Sequence, residues 1–173
     1  IKGNQNYSSA DIKVEGDYSQ AAFFYVANAL GSDIEINNLN TSSFQGDKKI
    51  IEIISKISYN NKMKAFEVDG CDIPDIVPIL TVLACFCEGT SRIYNVARLR
   101  IKESDRLESI SYCINKIGGN VTTTEDSLII NGVESFTGGE VDSFNDHRIA
   151  MSMAVCATRC KKPLIIKNAS SVE

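Results

Sequence analysis

The chain has 173 residues, 43% hydrophobic and 23% charged, a balance that fits a globular protein with one compact core. Its net charge of −4 argues against a general nucleic-acid-binding face, which is ordinarily basic, so any positive site must be local. No apolar run approaches the roughly 20 residues that span a bilayer, and no basic-then-apolar leader opens the chain.

Residues 1–10 are polar and read as a loose lead-in. "DIKVEGD" (11–17) alternates apolar and polar residues, which predicts a strand. "YSQAAFFYVANALG" (18–31) predicts an apolar, alanine-rich helix closed by Gly31. A second alternating strand follows at 33–39, then an amphipathic helix at 45–58 with Ile50, Ile53, Ile54 and Ile57 on one face. "KAFEVDG" (64–70) is a weaker strand.

The order then recurs. Residues 72–89 predict a helix with its prolines in the first turns, where a missing N–H matters least. "TSRIYNV" (90–96) predicts a strand, 104–119 an amphipathic helix, and 120–132 a hairpin turning at Glu125-Asp126. A third round gives strand 138–144, helix 146–160 and strand 162–169. Strand, apolar helix, strand, amphipathic helix and strand pair thus repeat every sixty to seventy residues or about that. Packed together, such units bury their apolar helices centrally and leave the sheets outside. A doubly wound nucleotide-binding fold is disfavoured, because no GxGxxG follows a strand. The third round lacks its amphipathic helix and hairpin, and the chain opens with Ile1, so it is expected to be a portion of something longer.

Five of the six cysteines lie in or beside apolar runs, which predicts buried free thiols in a reducing, cytosolic setting. Without a CxxC pair, and with His147 the only histidine, no zinc site is expected.

The informative polar residues lie at predicted helix starts. Asp17, Asp72, Ser104 and Asn145 read as ordinary caps. Arg106 and Arg148 are different, because a cation in a first turn opposes the helix dipole. With Lys102 just upstream, they suit a docked anion, which arginine grips through paired hydrogen bonds. The other reading is local pairing: Arg106 with Glu103 or Asp105, and Arg148 with Asp146. Asp75 and Glu103 are the candidate acid–base carboxylates, with plain surface residues as the alternative. His147 reads as a structural hydrogen-bonding residue at a helix start, between Asp146 and Arg148.

"RLRIKESDRL" (98–107) closely resembles a signature of the EPSP synthases, the 3-phosphoshikimate 1-carboxyvinyltransferases. "VEGDYSQAAFF", "QGD", "DIPDIVPIL" and "FNDHRIAMS" extend the match in order from residue 14 to residue 152. The resemblance implies an α+β fold of repeated βαβαββ units, an inside-out barrel with helices inside and sheets outside. Residues 1–173 would then form a single partial lobe of about two and a half units, the other lobe and a C-terminal segment being absent.

The implied reaction transfers the enolpyruvyl group of phosphoenolpyruvate (PEP) to the 5-hydroxyl of shikimate 3-phosphate, releasing phosphate, on the way to chorismate and the aromatic amino acids. No cofactor, metal, nucleic acid or membrane takes part, and the full-length enzyme is expected to be cytoplasmic and monomeric. By match to the motifs, Asp75 is the proton acceptor and also touches shikimate 3-phosphate. Lys102 binds the 3-phosphate, Glu103 moves a proton at the PEP methylene, and Arg106 and Arg148 hold PEP.

Arg98 stands where some members carry a substrate-binding asparagine, and that role is not transferred. The family's PEP-binding lysine falls just beyond Glu173, so the isolated chain is expected to be inactive. The nearest rival is the sister transferase acting on UDP-N-acetylglucosamine, against which the unbroken "RIKESDRL" and "NDHR" blocks weigh. A non-catalytic repeat domain binding RNA ends is disfavoured by the acidic charge and the missing aromatic-basic stripe.

Overall fold

The computed structural model describes residues 2–59 and 62–172. Helix α1 (Tyr18–Ala29) starts where Asp17 accepts a hydrogen bond from the Ser19 amide, and Gly31 at φ +105° follows its end. A 3-10 turn (Gly46–Lys48) leads into α2 (Lys49–Ile57), which buries Ile50, Ile53 and Ile57. Short strands β1 (Ser58–Tyr59) and β2 (Lys62–Met63) pair antiparallel, a feature the sequence pattern did not show.

Next come β3 (Glu67–Asp69), α3 (Val77–Ala84), β4 (Thr90–Tyr94), α4 (Arg106–Lys116), β5 (Asn120–Thr123) and β6 (Leu128–Asn131). Their strands form one sheet in the order β3-β4-β6-β5, parallel between β3 and β4 and antiparallel elsewhere. Strands β7 (Gly139–Asp142) and β8 (Leu164–Lys167) pair in parallel around α5 (His147–Ala157). The class is therefore mixed α+β.

Every residue of α3 is buried, as expected for a helix apolar on all sides. It packs against α1, α4 and α5, with β4 and β6 of the larger sheet over it. The bundle holds most of the core: Ala22, Val26, Leu80, Leu83, Leu107, Ile149 and Met153 are all sealed from solvent.

Three expectations need correction. Neither 11–17 nor 33–39 forms a strand among the described residues; the Gly16 amide bonds the Asn38 carbonyl, but no ladder develops. Ile12 and Val14 are 80% exposed, so their alternation has no apolar surface to pack against. The helix expected over 72–89 is an α-helix only at Val77–Ala84, after a 3-10 turn (Pro74–Ile76). Beyond Ala84 the backbone turns to meet the hairpin end, where the Val133 amide bonds the Cys85 carbonyl at 2.7 Å.

At that junction Gly132 passes close beneath its neighbour: a Cβ there would lie 2.0 Å from the Cys87 carbonyl oxygen. Gly132→Ala is expected to cost about 1–3 kcal/mol in a urea-unfolding series, because backbone must move. Gly3→Ala, with nothing within 4 Å, is the neutral comparison.

All six cysteines are free; Cys85, Cys87, Cys113 and Cys156 are buried and Cys71 is exposed. Burial pushes the thiols of Cys85, Cys87 and Cys113 up to about 12, which makes them poor nucleophiles. No group of acidic, histidine and cysteine side chains among the described residues could hold a metal ion. No described helix is long and apolar enough to cross a membrane.

Candidate active site

The starts of α1, α4 and α5 and the turn before α3 meet at one end of the bundle, joined through Arg106, Arg148, Asp75 and Ser19. Helix N-termini present unpaired N–H groups and partial positive charge, so this end is electropositive before any side chain is counted.

Arg106 lies at its centre, 1% exposed. Its Nε donates to Asp146 Oδ2 at 2.8 Å, Nη1 to Asp75 Oδ1 at 3.0 Å, and Nη2 to Glu103 Oε2 at 2.7 Å. Of the local pairings, Glu103 is therefore realised and Asp105 is not: Asp105 caps α4 and pairs with Arg100 at 2.8 Å. Arg100 also bonds the Glu125 and Thr124 carbonyls, tying the turn Ala97–Ile101 to the β5–β6 hairpin. It has a structural task, while Arg98 is exposed.

Asp146 is fully buried and makes the arrangement possible. It accepts from Arg106, from the Ser104 hydroxyl at 3.0 Å and from the Arg148 amide at 2.9 Å. Burial pushes its carboxyl up, but the hydrogen bond and charge of Arg106 outweigh that and hold it below the usual carboxylate range.

Arg148 does not pair its side chain with Asp146. It donates to the Ser19 carbonyl at 3.0 Å and the Ser19 hydroxyl at 2.8 Å, packs over Phe23, and reaches within 3.9 Å of Asp75 Oδ2. Lys102 Nζ lies 3.9 Å from Asp75 Oδ1. All five residues singled out from the sequence, Asp75, Lys102, Glu103, Arg106 and Arg148, thus gather around one point.

The cluster is graded in exposure. Arg106 and Asp146 are sealed, whereas the side chains of Asp75, Lys102 and Glu103 are 35%, 35% and 49% exposed. A buried Arg106–Asp146 ion pair therefore lies beneath carboxylates and an ammonium that solvent or a ligand can reach. Such an arrangement can neutralise a polyanion while its carboxylates exchange protons.

Several expected caps shift by a residue. Asp105, not Ser104, caps α4, and Asp146, not Asn145, caps α5. Asp72 makes no cap, the turn Pro74–Ile76 beginning without a side-chain hydrogen bond. Asp17 caps α1 as expected. The His147 ring, half-buried, enters no hydrogen bond among the described residues.

Sequence reasoning missed Ser19, Gln45, Asp47 and Asp146 as members of the site. Gln45 accepts from the Tyr18 amide and donates to Glu15 and to the Gly16 carbonyl, binding "QGD" to "VEGD". Two residues on, Asp47 lies within the electrostatic reach of Asp75, Arg148 and Asp17. The signal available was the recurrence of polar triplets at helix starts, which marks the location but not the partners.

The EPSP synthase (3-phosphoshikimate 1-carboxyvinyltransferase) family model matches residues 1–173. The 3-phosphoshikimate 1-carboxyvinyltransferase of Clostridium perfringens (strain 13 / Type A) is 47% identical over 100% of this chain and 44% of its own length. That of Clostridioides difficile (strain 630) is 46% identical, covering 97% of this chain and 41% of its own. A solved EPSP synthase structure from Acinetobacter baumannii superposes with a TM-score of 0.82 at 28% identity, covering 92% of this chain and 43% of that one. The chain therefore spans less than half the length of the relatives it matches.

Proposed function

The chain belongs to the EPSP synthase family, and from that premise we propose that it forms one lobe of a 3-phosphoshikimate 1-carboxyvinyltransferase. The observation that carries this reading is the meeting of Lys102, Arg106 and Arg148 with Asp75 and Glu103 at one end of the helix bundle. Cations and accessible carboxylates at one point suit a reaction that joins two polyanions and moves two protons.

In this reading Lys102 holds the 3-phosphate of shikimate 3-phosphate, and Arg106 and Arg148 hold PEP. Asp75 accepts the proton of the attacking 5-hydroxyl as that oxygen adds to C2 of PEP. Glu103 delivers a proton to C3 and later removes one as phosphate departs. The guanidinium charges offset the growing negative charge on the leaving phosphate.

Arg106 is engaged by Asp75 and Glu103. An incoming PEP carboxylate or phosphate competes for the same edge of the guanidinium. Substrate binding thereby frees the two carboxylates that the chemistry needs.

The order β3-α3-β4-α4-β5-β6 in a single sheet supports the reading of the fold as repeated βαβαββ units, helices innermost, with this chain as a single partial lobe. The complete enzyme would be cytoplasmic and monomeric and would use no metal or organic cofactor.

The test is calorimetric titration of the chain with shikimate 3-phosphate and with UDP-N-acetylglucosamine. Shikimate 3-phosphate should bind, and Lys102→Ala should weaken it about tenfold or more, the worth of one charge-assisted contact. Preferential binding of UDP-N-acetylglucosamine would overturn the substrate assignment.

A further inference from the structure

Two buried polar atoms find no hydrogen-bond partner among the described residues, Asp47 Oδ1 and Arg148 Nε. Both belong to the cluster above. Gly46 packs so tightly that a Cβ on it would lie 2.5 Å from the Asp72 carbonyl oxygen, so the turn bearing Asp47 is pressed onto the backbone just before the turn bearing Asp75.

The turn bearing Asp47 packs against α1 and α2, and the charges of Asp75, Arg148 and Asp17 act on its carboxyl. On its own turn Lys48 gives its ammonium to the Thr41 carbonyl. The Arg148 guanidinium is largely engaged by Ser19. Asp47 is therefore a carboxylate short of donors, and its environment favours the neutral form. Burial first, then the charge of Asp75, push it up to about 6, with Asp17 adding and Arg148 opposing.

We propose that Asp47 takes up a proton from solvent when an anion docks against Arg148 and Arg106, and so acts as a proton-linked positioning residue of the anion site. The inference rests on the reading of this cluster as an anion site. The step is a single protonation: one solvent proton joins one carboxylate oxygen, and no other bond forms or breaks.

The cause is electrostatic. A docked anion adds negative charge beside Asp75 and Asp17 and neutralises the field of Arg148, which favours the ionised form of Asp47. The neutral carboxyl is also an O–H donor, which the ionised form is not, so it can meet the anion instead of repelling it. By linkage the proton and the anion favour each other equally. The sign follows: anion affinity is higher below the free carboxyl's value of about 6 and falls as pH rises through it. An upward shift of about one unit corresponds to a tenfold change in affinity across the window.

The experiment is carbon-13 NMR of the aspartate carboxyls in the chain, titrated from about pH 4 to about pH 9 with and without phosphoenolpyruvate. Asp47→Asn assigns the signal and serves as the comparison for binding, and arginine Nε resonances report docking independently. The Asp47 midpoint is expected to rise by about one unit on docking, and Asp47→Asn should bind phosphoenolpyruvate with about tenfold less change between acid and alkaline pH. If the arginine signals respond while the Asp47 midpoint stays fixed, the proton linkage is wrong and the anion site stands. If neither responds, the anion site itself is wrong and the linkage falls with it.

Discussion

Arg106→Met is expected to destabilise the chain by about 3–5 kcal/mol, the cost of leaving a buried charge without its partner. Asp146 is fully buried and, among the described residues, Arg106 is its only side-chain counter-ion. The Ser104 hydroxyl and the Arg148 amide remain in the variant, but neither carries charge. Methionine fills much of the space, so the loss reports the stranded carboxylate and not a cavity. Glu103→Gln removes a partner that is half exposed, and it should cost less than about 1 kcal/mol. Urea unfolding midpoints of the two variants decide the matter. If Arg106→Met shifts the midpoint no further than Glu103→Gln, Arg106 does not organise this end of the bundle.

The pH dependence of that loss has a definite sign. In the wild type, Arg106 holds the Asp146 carboxyl below the usual range. Its contribution is therefore present above about pH 4 and is lost as pH falls through the depressed native value. Without Arg106, burial dominates and the carboxyl moves up instead. The variant then regains stability relative to wild type as the medium becomes acid.

Asp75→Asn carries the second large effect. Joining this chain to the complementary portion of the Clostridium perfringens relative, which this chain covers over 44% of its length, is expected to give a two-part enzyme on which turnover can be read. In it, Asp75→Asn is expected to lower kcat by about a hundredfold to ten-thousandfold, the usual weight of a positioned general base. KM should move far less, because the amide keeps hydrogen-bonding capacity toward a substrate hydroxyl. The side chain is 35% exposed, so folding should survive the change. A fall in kcat of less than tenfold would remove Asp75 from the role of proton acceptor.

How far the sequence could be read depended on whether a feature was local. Periodicity located α1, α2, α4 and α5 because each buries one face or nearly all of itself. The hairpin of β5 and β6 followed from its turn at Glu125-Asp126. Alternation at 11–17 and 33–39 failed, because no sheet edge or apolar surface receives those segments among the described residues. Pro74 and Pro78 allowed a helix start but hid that its first turn is 3-10.

The site shows the same division. The residue types were legible, and Asp75, Lys102, Glu103, Arg106 and Arg148 do converge. Beyond the local Arg106–Glu103 pair their pairing was not, because it is settled by packing across 30 to 40 residues of chain or more: Arg106 meets Asp75 at a separation of 31 and Asp146 at 40. Caps were misjudged by one residue for a backbone reason. Phe144 and Asn145 both take left-handed conformations, at φ +56° and +57°, which carries the first cap of α5 on to Asp146. An aromatic residue in that region is strained, and the strain is borne where the site needs a buried carboxylate.

The most direct test of the account is release of phosphate from PEP and shikimate 3-phosphate, measured side by side for the isolated chain and for the two-part enzyme. The account predicts steady release from the two-part enzyme, abolished to the stated degree by Asp75→Asn, and none from the chain alone. Steady release from the chain alone would contradict it, as would a folded two-part enzyme that binds both substrates and turns over neither.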